Sequence, residues 1–574
     1  MHKDFRFVAT LNPNSSKYKR EELTNRFLQR FQIIEFPSFK YEELKIIARE
    51  IASINLYVNN NIIDEISEFH FEWTSTIESK ASPQVFTIRD LNTTIKAISQ
   101  KKYEPFDAIN CFYSSRYEIN ERKILLNLLK QKFNRIYKNY SFPNLPEDFP
   151  ECFENNCLRK VFHFSKIAID NEKHILFTGK QGSGLTQIAK WISNYFSNSN
   201  DKDDDFLFVL TPESTVADLI GRYIPLPKIE NNIDIIKWND GPLTKAIRNG
   251  NSGVLVNLNS AQSKVTERLN GLLDPKDVEE DYFFDIPENS KEPKIKIDKN
   301  FRLYATCDIN YLSQISPALL NRFNVIVIDD QLEDTNLNDI NKLVNIIMKK
   351  DLESYQKKKH NKNNVYINIP EELVQNISQF YIKNSMTMSN IARLSKSAIR
   401  LYKRFPKCPI IKLFKNVQDL LGNNYNFDIP NEIAEEVKKI LTTNKQFLND
   451  EKFYFINSEI LVNLMINIYC CSIIRVGVCL QGPKGLGKTS MARALSEIVK
   501  GQNSDYIIYS FHMETTIDDL FGTYSFENGK PIIVKRPLYI SLEKGINFIA
   551  GEFNLSEDSI LQSISCILTL EFEY

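Results

Sequence analysis

The sequence predicts an α/β fold that is repeated in tandem along the chain. Two observations lead to this prediction. An apolar run, a glycine-rich loop and a stretch with helical apolar spacing follow one another around Gly179 and again around Gly482. The same landmarks recur at a nearly constant distance through most of the chain, which is typical of a repeated structural unit. We therefore expect several copies of one α/β module.

The internal similarities fit one unit of roughly 300 residues. FRFVATLNPN at Phe5 recurs as FRLYATCDIN at Phe301, 296 residues later, and FTIRDL at Phe86 resembles MTMSNI at Met386. The other pairs lie 292 to 303 residues apart: Arg30-Phe31 with Arg322-Phe323, GKQGSGLT at Gly179 with GPKGLGKT at Gly482, TPESTVADLIGRY at Thr211 with HMETTIDDLFGTY at His512, and GPLTKAIRNG at Gly241 with RPLYISLEKG at Arg536.

These landmarks divide the chain into one complete module and parts of two others. Residues 1–145 are predicted to be the C-terminal part of module one, residues 150–425 a complete module two, and residues 430–574 the N-terminal part of module three. We expect a chain organised in this way to be a piece of a longer array.

The composition is that of a folded protein, and its charge balance disfavours nucleic acid and anionic membranes as main ligands. The 574 residues are 42% hydrophobic and 25% charged, and this length favours about four domains. Lys plus Arg and Asp plus Glu both number 72, so the charge balance favours neither nucleic acid nor an anionic membrane. We expect no direct DNA binding.

Cysteine usage and hydropathy predict a reducing compartment and no membrane span. The nine cysteines are odd in number and form no CxxC pair, which fits the nucleus or the cytoplasm. The N-terminus has no apolar stretch of signal-peptide length. The most apolar stretch, Ile460 to Leu480, is interrupted by Asn463, Asn467 and Arg475, so a buried helix followed by a core strand is the better interpretation.

Module three carries a complete phosphate-loop motif between two regular elements. The apolar run IIRVGVCLQ before it predicts a strand, and TSMARALSEIV after it predicts a helix. In such a loop, glycines let backbone N–H groups surround a phosphate, the lysine reaches the β and γ phosphates, and the hydroxyl that follows can ligate Mg²⁺. The motif predicts ATP and Mg²⁺ as cofactors, bound by Gly482, Pro483, Lys484, Gly485, Leu486, Gly487, Lys488, Thr489 and Ser490, with Thr489 as the Mg²⁺ ligand.

Module two has the same loop with a leucine at the lysine position. Gly179, Gly182, Gly184 and Thr186 remain, but Leu185 cannot donate a hydrogen bond to a phosphate. A charge-assisted hydrogen bond contributes about 1.5–3 kcal/mol, so the nucleotide affinity should be at least about tenfold lower. We predict a degenerate, structural loop; the alternative is a loop that traps nucleotide without turnover.

A second strand is expected to supply the metal and water chemistry. In ring-forming P-loop ATPases this strand ends in Asp-Glu, where the Asp supports Mg²⁺ and the Glu polarises the attacking water. The aligned strands here end in Val256-Asn257 and Gly551-Glu552. Module two has therefore lost both acids, while module three keeps Glu552 as a predicted catalytic residue; the alternative for Glu552 is a solvated carboxylate at a strand end.

Together these motifs resemble the dynein-related, midasin-like branch of the AAA+ ATPases. The resemblance implies tandem P-loop AAA+ modules, each a parallel αβα sandwich followed by a helical lid. SPALLNRF and FRLYAT look more like midasin and its MoxR relatives than like dynein. The segments that carry the resemblance are the loop at Gly482, DLIGRY and DLFGTY at Asp218 and Asp519, DGPLTKAIRNG and ERLNGLLD at Asp240 and Glu267, the FRxxAT strands, ISPALLNRF and FTIRDL.

The resemblance also implies roles for single residues. They are the sensor-1 residue Asn12, the arginine fingers Arg30 and Arg322 and the sensor-2 residue Arg89, with Asp308 and Ser389 at the two sensor positions of module two. In such arrays a finger completes the site of a neighbouring module, so neighbouring AAA+ modules in cis or in trans are expected partners. The alternative for each finger is a surface arginine beside a core aromatic residue.

The implied function is that of an ATP-binding AAA+ ATPase that remodels macromolecular assemblies. The midasin-like features extend this to maturation of the large ribosomal subunit, with a protein or ribonucleoprotein assembly as partner. The alternative is a catalytically inactive AAA+ scaffold, which the losses in module two favour. No single module has a P-loop with its lysine, an acidic strand end, a sensor residue and an arginine from a neighbouring module. Since phosphoryl transfer needs all of these groups in one site, we expect this chain alone to bind ATP with little turnover.

Overall fold

The structure is a computed structural model in which the chain forms two compact units. Unit 1 comprises residues 1–139 and 316–321, and unit 2 comprises residues 140–315 and 322–574. The predicted boundaries of the three modules stay predictions. The structure describes residues 29–30, 32, 34, 39–53, 59–78, 86–117, 119–132, 142–147, 149, 154–197, 206–225, 236–273, 282–328, 337–358, 368–384, 387–421, 431–443, 459–483, 487–500, 506–527 and 530–569.

The described part of unit 1 is helical and has an aromatic core. Phe86 stacks on Tyr113, whose hydroxyl lies 2.7 Å from Nδ1 of the buried His70. Burial lowers the pKa of His70 to about 4, so the imidazole is neutral near pH 7 and its Nδ1 can accept a hydrogen bond from the Tyr113 hydroxyl. The helices of residues 39–132 are α1 (Tyr41–Ser53), α2 (Asn60–Glu78), α3 (Ile88–Ser99), α4 (Pro105–Phe112) and α5 (Ile119–Lys132).

The elements of module two alternate between helices and strands up to residue 328. In chain order they are α6 (Asn156–Asp170), β1 (His174–Gly179), α7 (Leu185–Phe196), β2 (Phe206–Val209), α8 (Val216–Ile220), β3 (Gly221–Pro225), β4 (Ile236–Asp240), α9 (Pro242–Asn249), β5 (Ser252–Val256), α10 (Ser263–Thr266), α11 (Asn270–Leu273), β6 (Phe283–Asp285), β7 (Lys294–Lys296), β8 (Arg302–Asp308), α12 (Pro317–Leu320) and β9 (Phe323–Ile328). Helix α12 belongs to unit 1 and the others to unit 2.

Five of these strands form a parallel sheet in the order β2, β5, β8, β1 and β9. Strands β1, β5 and β9 are buried along their whole length, and their near-continuous apolar sequences are typical of parallel strands covered on both faces. Helix α6 packs on β1 and β9, and helix α7 packs on β1, β5 and β8. The predicted α/β architecture with a parallel sheet is confirmed.

Two antiparallel hairpins interrupt the alternation of strands and helices. The first hairpin consists of β3 and β4, which follow β2 in the chain and precede β5. The second consists of β6 and β7, which follow β5 and precede β8. Tyr223 and Trp238 lie opposite each other in the first hairpin, with their rings edge to face. The sequence analysis did not predict either hairpin.

A group of helices with one shared apolar core follows the sheet. Its helices are α13 (Leu337–Lys358), α14 (Glu371–Asn384), α15 (Met388–Arg404), α16 (Ile410–Leu421), α17 (Asn431–Thr443) and α18 (Glu459–Ile474). The core extends from Ile340 to Ile474, and Val476, Leu480 and Met491 pack against it. The helical lid of module two and the first residues of module three are therefore held together by one hydrophobic core.

Module three continues with α19 (Lys488–Lys500), β10 (Tyr506–Ser510), α20 (Ile517–Phe521), β11 (Gly522–Glu527), β12 (Lys530–Lys535), α21 (Pro537–Lys544), β13 (Asn547–Gly551) and α22 (Asp558–Thr569). β10 and β13 are parallel neighbours, and β11 and β12 form a hairpin.

The strand predicted at IIRVGVCLQ in module three is wrong. Ile473 and Ile474 end α18, and residues 476–481 form no strand. The corresponding strand of module two, β1, is hydrogen-bonded to β8 on one side and β9 on the other. Among the described residues of module three only β10 with β13 and β11 with β12 are paired, so residues 476–481 have no neighbouring strand to hold an extended ladder.

The backbone repeats with the period that the sequence predicts. Modules two and three have residues with positive φ at aligned positions, where the backbone turns sharply. The pairs lie 295 to 303 residues apart and are Glu172 with Arg475, Gly184 with Gly487, Gly221 with Gly522, Gly250 with Gly545, and Asn257 with Glu552. Capping boxes also recur, at Thr215 with Asp218 and at Thr516 with Asp519. Modules two and three therefore share local conformation as well as sequence.

Candidate functional site

The predicted phosphate loop of module three leads directly into a helix. α19 begins at Lys488, directly after Gly487, whose φ is +73°; glycine adopts this left-handed conformation at little cost. The Gly487 carbonyl accepts a hydrogen bond from the Met491 amide at 2.8 Å, so helical bonding starts where the loop ends. The predicted loop residues Lys484, Gly485 and Leu486 lie outside the described residues.

The Lys488 side chain folds over its own loop. Its ammonium donates to the carbonyl oxygens of Gly482 and Pro483, both at 2.8 Å. A lysine ammonium has three donors on a flexible stem, so the same group can turn to phosphate oxygens. Thr489 and Ser490 are exposed in the first turn of α19, where backbone N–H groups have no partner within the helix. This end of α19 has the chemistry of an anion site.

The acidic strand end of module three lies at the end of β13. Helix α19 packs against β13, which ends at Gly551, and Glu552 follows with an exposed side chain and a φ of +51°. A Cβ at Gly551 would have only ordinary contacts, the nearest at 3.4 Å to Oγ of Ser510. The position aligned with the metal-binding aspartate therefore has space for a side chain but carries none.

In module two the leucine occupies the corresponding position over the loop. Leu185 begins α7, after Gly184 with a φ of +83°. A Cβ at Gly179 would lie 3.4 Å from Cδ2 of Leu185 and 2.8 Å from the Ile328 carbonyl oxygen. Gly179 is therefore required by the close approach of β9, and Leu185 places a methyl group beside the first glycine of the loop.

The module-two loop is also bonded directly to its own lid. The amide of Ser389 donates to the carbonyl oxygen of Gly182 at 3.0 Å. Thr387, the N-cap of α15, lies so close that a Cβ at Gly182 would be 2.9 Å from its Oγ1. Since Gly182 has a φ of +87°, a larger residue there would be strained and would collide with the lid.

In the five-stranded parallel sheet of module two, only β8 ends in an acidic residue, Asp308 at the sensor position. β5 ends at Val256, and the exposed Asn257, with a φ of +60°, donates its amide to Oγ1 of Thr306 at 3.1 Å. Asp308 lies opposite Gly179 in the β1–β8 register. Its carboxylate accepts from the amide of Asn310 at 2.9 Å and so caps the 3₁₀ turn that follows β8.

The predicted arginines and the sensor asparagine occupy different parts of the chain. Arg322 is half-buried directly before β9. Arg30 is exposed, and Arg89 is exposed in the first turn of α3. Asn12 lies outside the described residues. The roles of these four residues and of Glu552 stay predictions.

The described part of the chain contains no cluster of side chains that could bind a metal ion by themselves. Among those residues no group of three or more His, Cys, Asp and Glu side chains could hold a metal ion. The Mg²⁺ predicted at Thr489 would also take oxygen ligands from the nucleotide and from water, as is usual for Mg²⁺. Within the same part of the chain, no helix has the length and hydrophobicity needed to cross a membrane.

Two segments of the chain, one in module two and one in module three, match a known protein family. A model described as "AAA domain (dynein-related subfamily)" matches residues 174–323 and 477–571. Both segments are therefore similar to AAA domains. The first segment contains strands β1, β2, β5 and β8 of the five-stranded sheet and the loop with Leu185, and the second contains Lys488 and Glu552. The AAA+ fold and the resemblance to AAA+ ATPases are thereby confirmed.

Curated proteins that resemble this chain match only part of it. Uncharacterized proteins of Staphylococcus aureus strains USA300, NCTC 8325 and MRSA252 are each 27% identical over 171 residues. The match covers 29% of this chain and 60% of each relative. The chain therefore spans less than two thirds of the relatives' length.

The sequence analysis missed the contacts between the AAA domains and the lid. The repeat placed Ser389 at the sensor-2 position, but no sequence pattern indicates that its amide bonds Gly182. The ion pair between Arg400 and Asp351, on two lid helices, was also missed. Basic and acidic residues are frequent on helices in this sequence, so only tertiary structure shows which of them pair.

Proposed function

We propose that this chain belongs to an AAA+ ATPase that remodels macromolecular assemblies, and that the AAA domain of module three is its ATP-binding site. The observation that carries the proposal is the placement of Lys488. It is the first residue of a helix, it follows a glycine in the left-handed conformation, and its ammonium lies over the loop carbonyls at 2.8 Å.

The residues of module three fit a nucleotide with Mg²⁺. Lys488 would bind the β and γ phosphates, and the exposed hydroxyl of Thr489 would ligate Mg²⁺. Bound Mg²⁺ neutralises charge on the phosphates. Glu552 would accept a proton from water, since it is an exposed carboxylate at the end of the strand against which α19 packs. Gly551 offers no carboxylate, so Mg²⁺ would be held by Thr489, phosphate and water.

The test is binding of a fluorescent ATP analogue to the purified chain, with and without Mg²⁺. The matched variants are Lys488→Met and Leu185→Met, which place the same side chain at the two aligned positions. We expect Mg²⁺-dependent binding that is lost in Lys488→Met and kept in Leu185→Met. Equal affinity of wild-type protein and Lys488→Met would remove module three as the ATP site.

We further propose that the assembly being remodelled is a maturing large ribosomal subunit. The support is the resemblance of FRLYAT and SPALLNRF to midasin and its relatives. With this proposal we also propose the nucleus or the cytoplasm as its location, and a ribonucleoprotein and neighbouring AAA+ modules as its partners. The test is co-sedimentation of the tagged protein with precursors of the large subunit in a sucrose gradient. Sedimentation only in the ribosome-free fractions would contradict it.

The alternative function is a nucleotide-independent scaffold, and module two gives it a specific argument. Its loop lacks the lysine, its strand lacks both acids, and Gly182 is hydrogen-bonded to the lid at Ser389. A scaffold predicts that partner binding is unchanged by ATP and by Lys488→Met. A remodelling ATPase predicts that at least one partner is released or bound only with nucleotide.

A further inference from the structure

One lid helix, α15, contacts the phosphate loop of module two and also the segment that leads to the phosphate loop of module three. At its N-terminus the Ser389 amide donates to the Gly182 carbonyl at 3.0 Å. Eleven residues further along, Nη1 of Arg400 donates to the carbonyl of Ile474 at 2.9 Å. An α-helix is stiff over this length of about 16 Å, so the two contacts are joined by one rigid element.

The Arg400 guanidinium is held in place by a second helix. Its Nε and Nη2 donate to the two carboxylate oxygens of Asp351 on α13, at 3.0 and 2.5 Å. The side chains of Arg400 and Asp351 are only 15% and 9% exposed. A bidentate pair that is largely shielded from water fixes the orientation of the planar guanidinium, which leaves Nη1 directed at Ile474.

Ile474 is the point at which module three begins its approach to the loop. It is the last residue of α18, and Arg475 turns the chain with a φ of +59°. The last carbonyls of a helix have no partner within it, and a cation there also interacts favourably with the helix dipole. Arg400 thus caps α18 immediately before residues 476–481, of which Val476 and Leu480 pack on the lid core.

The corresponding position in module two is organised differently. There α6 ends at Asp170, and the side-chain amide of Asn171 donates to the Ile167 carbonyl at 2.7 Å. This helix end is capped by its own chain and then continues into β1, which has strands on both sides. Residues 476–481 have no such strand neighbours among the described residues, so their position depends on the lid.

We propose that Arg400 is a positioning residue for the phosphate loop of module three and that α15 couples the two phosphate loops. Arg400 does not touch nucleotide; it fixes the end of α18 and thereby the course of the chain to Gly482 and Lys488. The inference rests on the proposed ATP site at Lys488, and it adds that the degenerate module two acts on that site through its lid.

The first measurement is affinity for the fluorescent ATP analogue with Mg²⁺. The test variant is Arg400→Met combined with Asp351→Leu, because removing both partners avoids leaving one buried charge unpaired. The matched control is Arg404→Met, on the same helix, where the arginine binds Glu436 and Tyr469 instead. We expect about tenfold weaker binding in the double variant, which is about 1.4 kcal/mol, and less than twofold change in the control.

A purely structural role for Arg400 predicts a different pattern. It would lower the melting temperature of the double variant while leaving the dissociation constant of the folded protein unchanged, and that result overturns the proposal. A wild-type chain that does not bind the analogue overturns the ATP site itself, so the two failures are distinguishable.

The second measurement is hydrogen exchange of a peptide that contains Ser389, with and without the analogue. Coupling predicts slower exchange on nucleotide binding in the wild-type chain and no change in the double variant at saturating analogue. Lys488→Met provides the control. If its Ser389 peptide is still protected by nucleotide, the analogue binds module two directly and the coupling is refuted; no protection in the wild-type chain refutes it as well.

Discussion

The phosphate loops of modules two and three have the same backbone turn and opposite side-chain chemistry. Gly184 and Gly487 have φ values of +83° and +73°, and a helix begins at the next residue in both cases. At that next residue, Leu185 places a methyl group beside Gly179, whereas Lys488 donates to the Gly482 carbonyl. The turn into the helix is thus the same in both modules, and module two lacks the lysine that follows it.

The strand ends show the same difference. Asn257 and Glu552 have φ values of +60° and +51° at aligned positions, although residues other than glycine rarely adopt this conformation. Asn257 carries no charge, while Glu552 is an exposed carboxylate. The two strand ends therefore share a backbone conformation and differ in side-chain charge.

The largest expected effect concerns turnover. Module three has Lys488 and Glu552, but the predicted sensor and finger residues Asn12, Arg30 and Arg322 belong to the predicted modules one and two. Because a missing finger alone slows phosphoryl transfer about a thousandfold or more, we expect the chain to bind ATP and hardly hydrolyse it. Single-turnover hydrolysis measured beside equilibrium binding checks this. Repeated turnover at about 1 s⁻¹ or faster would show that the sites are completed in trans.

The next effect is the loss of binding in Lys488→Met. Two charge-assisted hydrogen bonds to phosphate contribute about 1.5–3 kcal/mol each, so we expect at least about a hundredfold weaker binding of the ATP analogue. Leu185→Met, a change of similar volume, should alter the affinity less than about twofold. If both variants lost a similar amount of affinity, the two loops would contribute equally to binding of the analogue. The proposed difference between the loops would then be wrong.

A smaller effect is expected when the lysine is restored in module two. Leu185→Lys in the Lys488→Met background leaves module two as the only loop with a lysine at the position where the helix begins. We expect a gain of about tenfold or less over Lys488→Met alone, because Val256 and Asn257 supply no carboxylate and Gly182 stays bonded to Ser389. If this double variant bound the analogue as tightly as the wild-type chain, the residue at position 185 alone would account for the difference in affinity between the two loops.

The smallest effect concerns the metal position of module three. Gly551→Asp should fit, because the nearest contact of the new Cβ is 3.4 Å. A carboxylate there can support Mg²⁺, so we expect about three- to tenfold tighter Mg²⁺-dependent binding of the analogue. Gly551→Asn, of similar size and uncharged, is the control. An equal gain in both variants would point to packing rather than to the metal.

Much of the fold could be predicted from the sequence because the repeat is encoded locally. Glycines, capping threonines and apolar runs determine turns, helix starts and strands through short-range sterics and hydrogen bonds. The aligned left-handed positions and capping boxes follow the predicted offsets for this reason. The strand at residues 476–481 could not be predicted correctly, because a strand also needs hydrogen-bonding neighbours that its own sequence does not supply.

The sequence by itself determined the period, the AAA+ α/β class, and which loop carries the lysine, since these depend on residue identity and spacing. Only the tertiary structure decided that Ser389 bonds Gly182 and that Arg400 joins Asp351 to the end of α18. The physical reason is that such contacts connect residues far apart in the chain, 207 residues for Ser389 and Gly182. Which of many similar polar groups meet depends on how the helices pack, and packing is a property of the whole core.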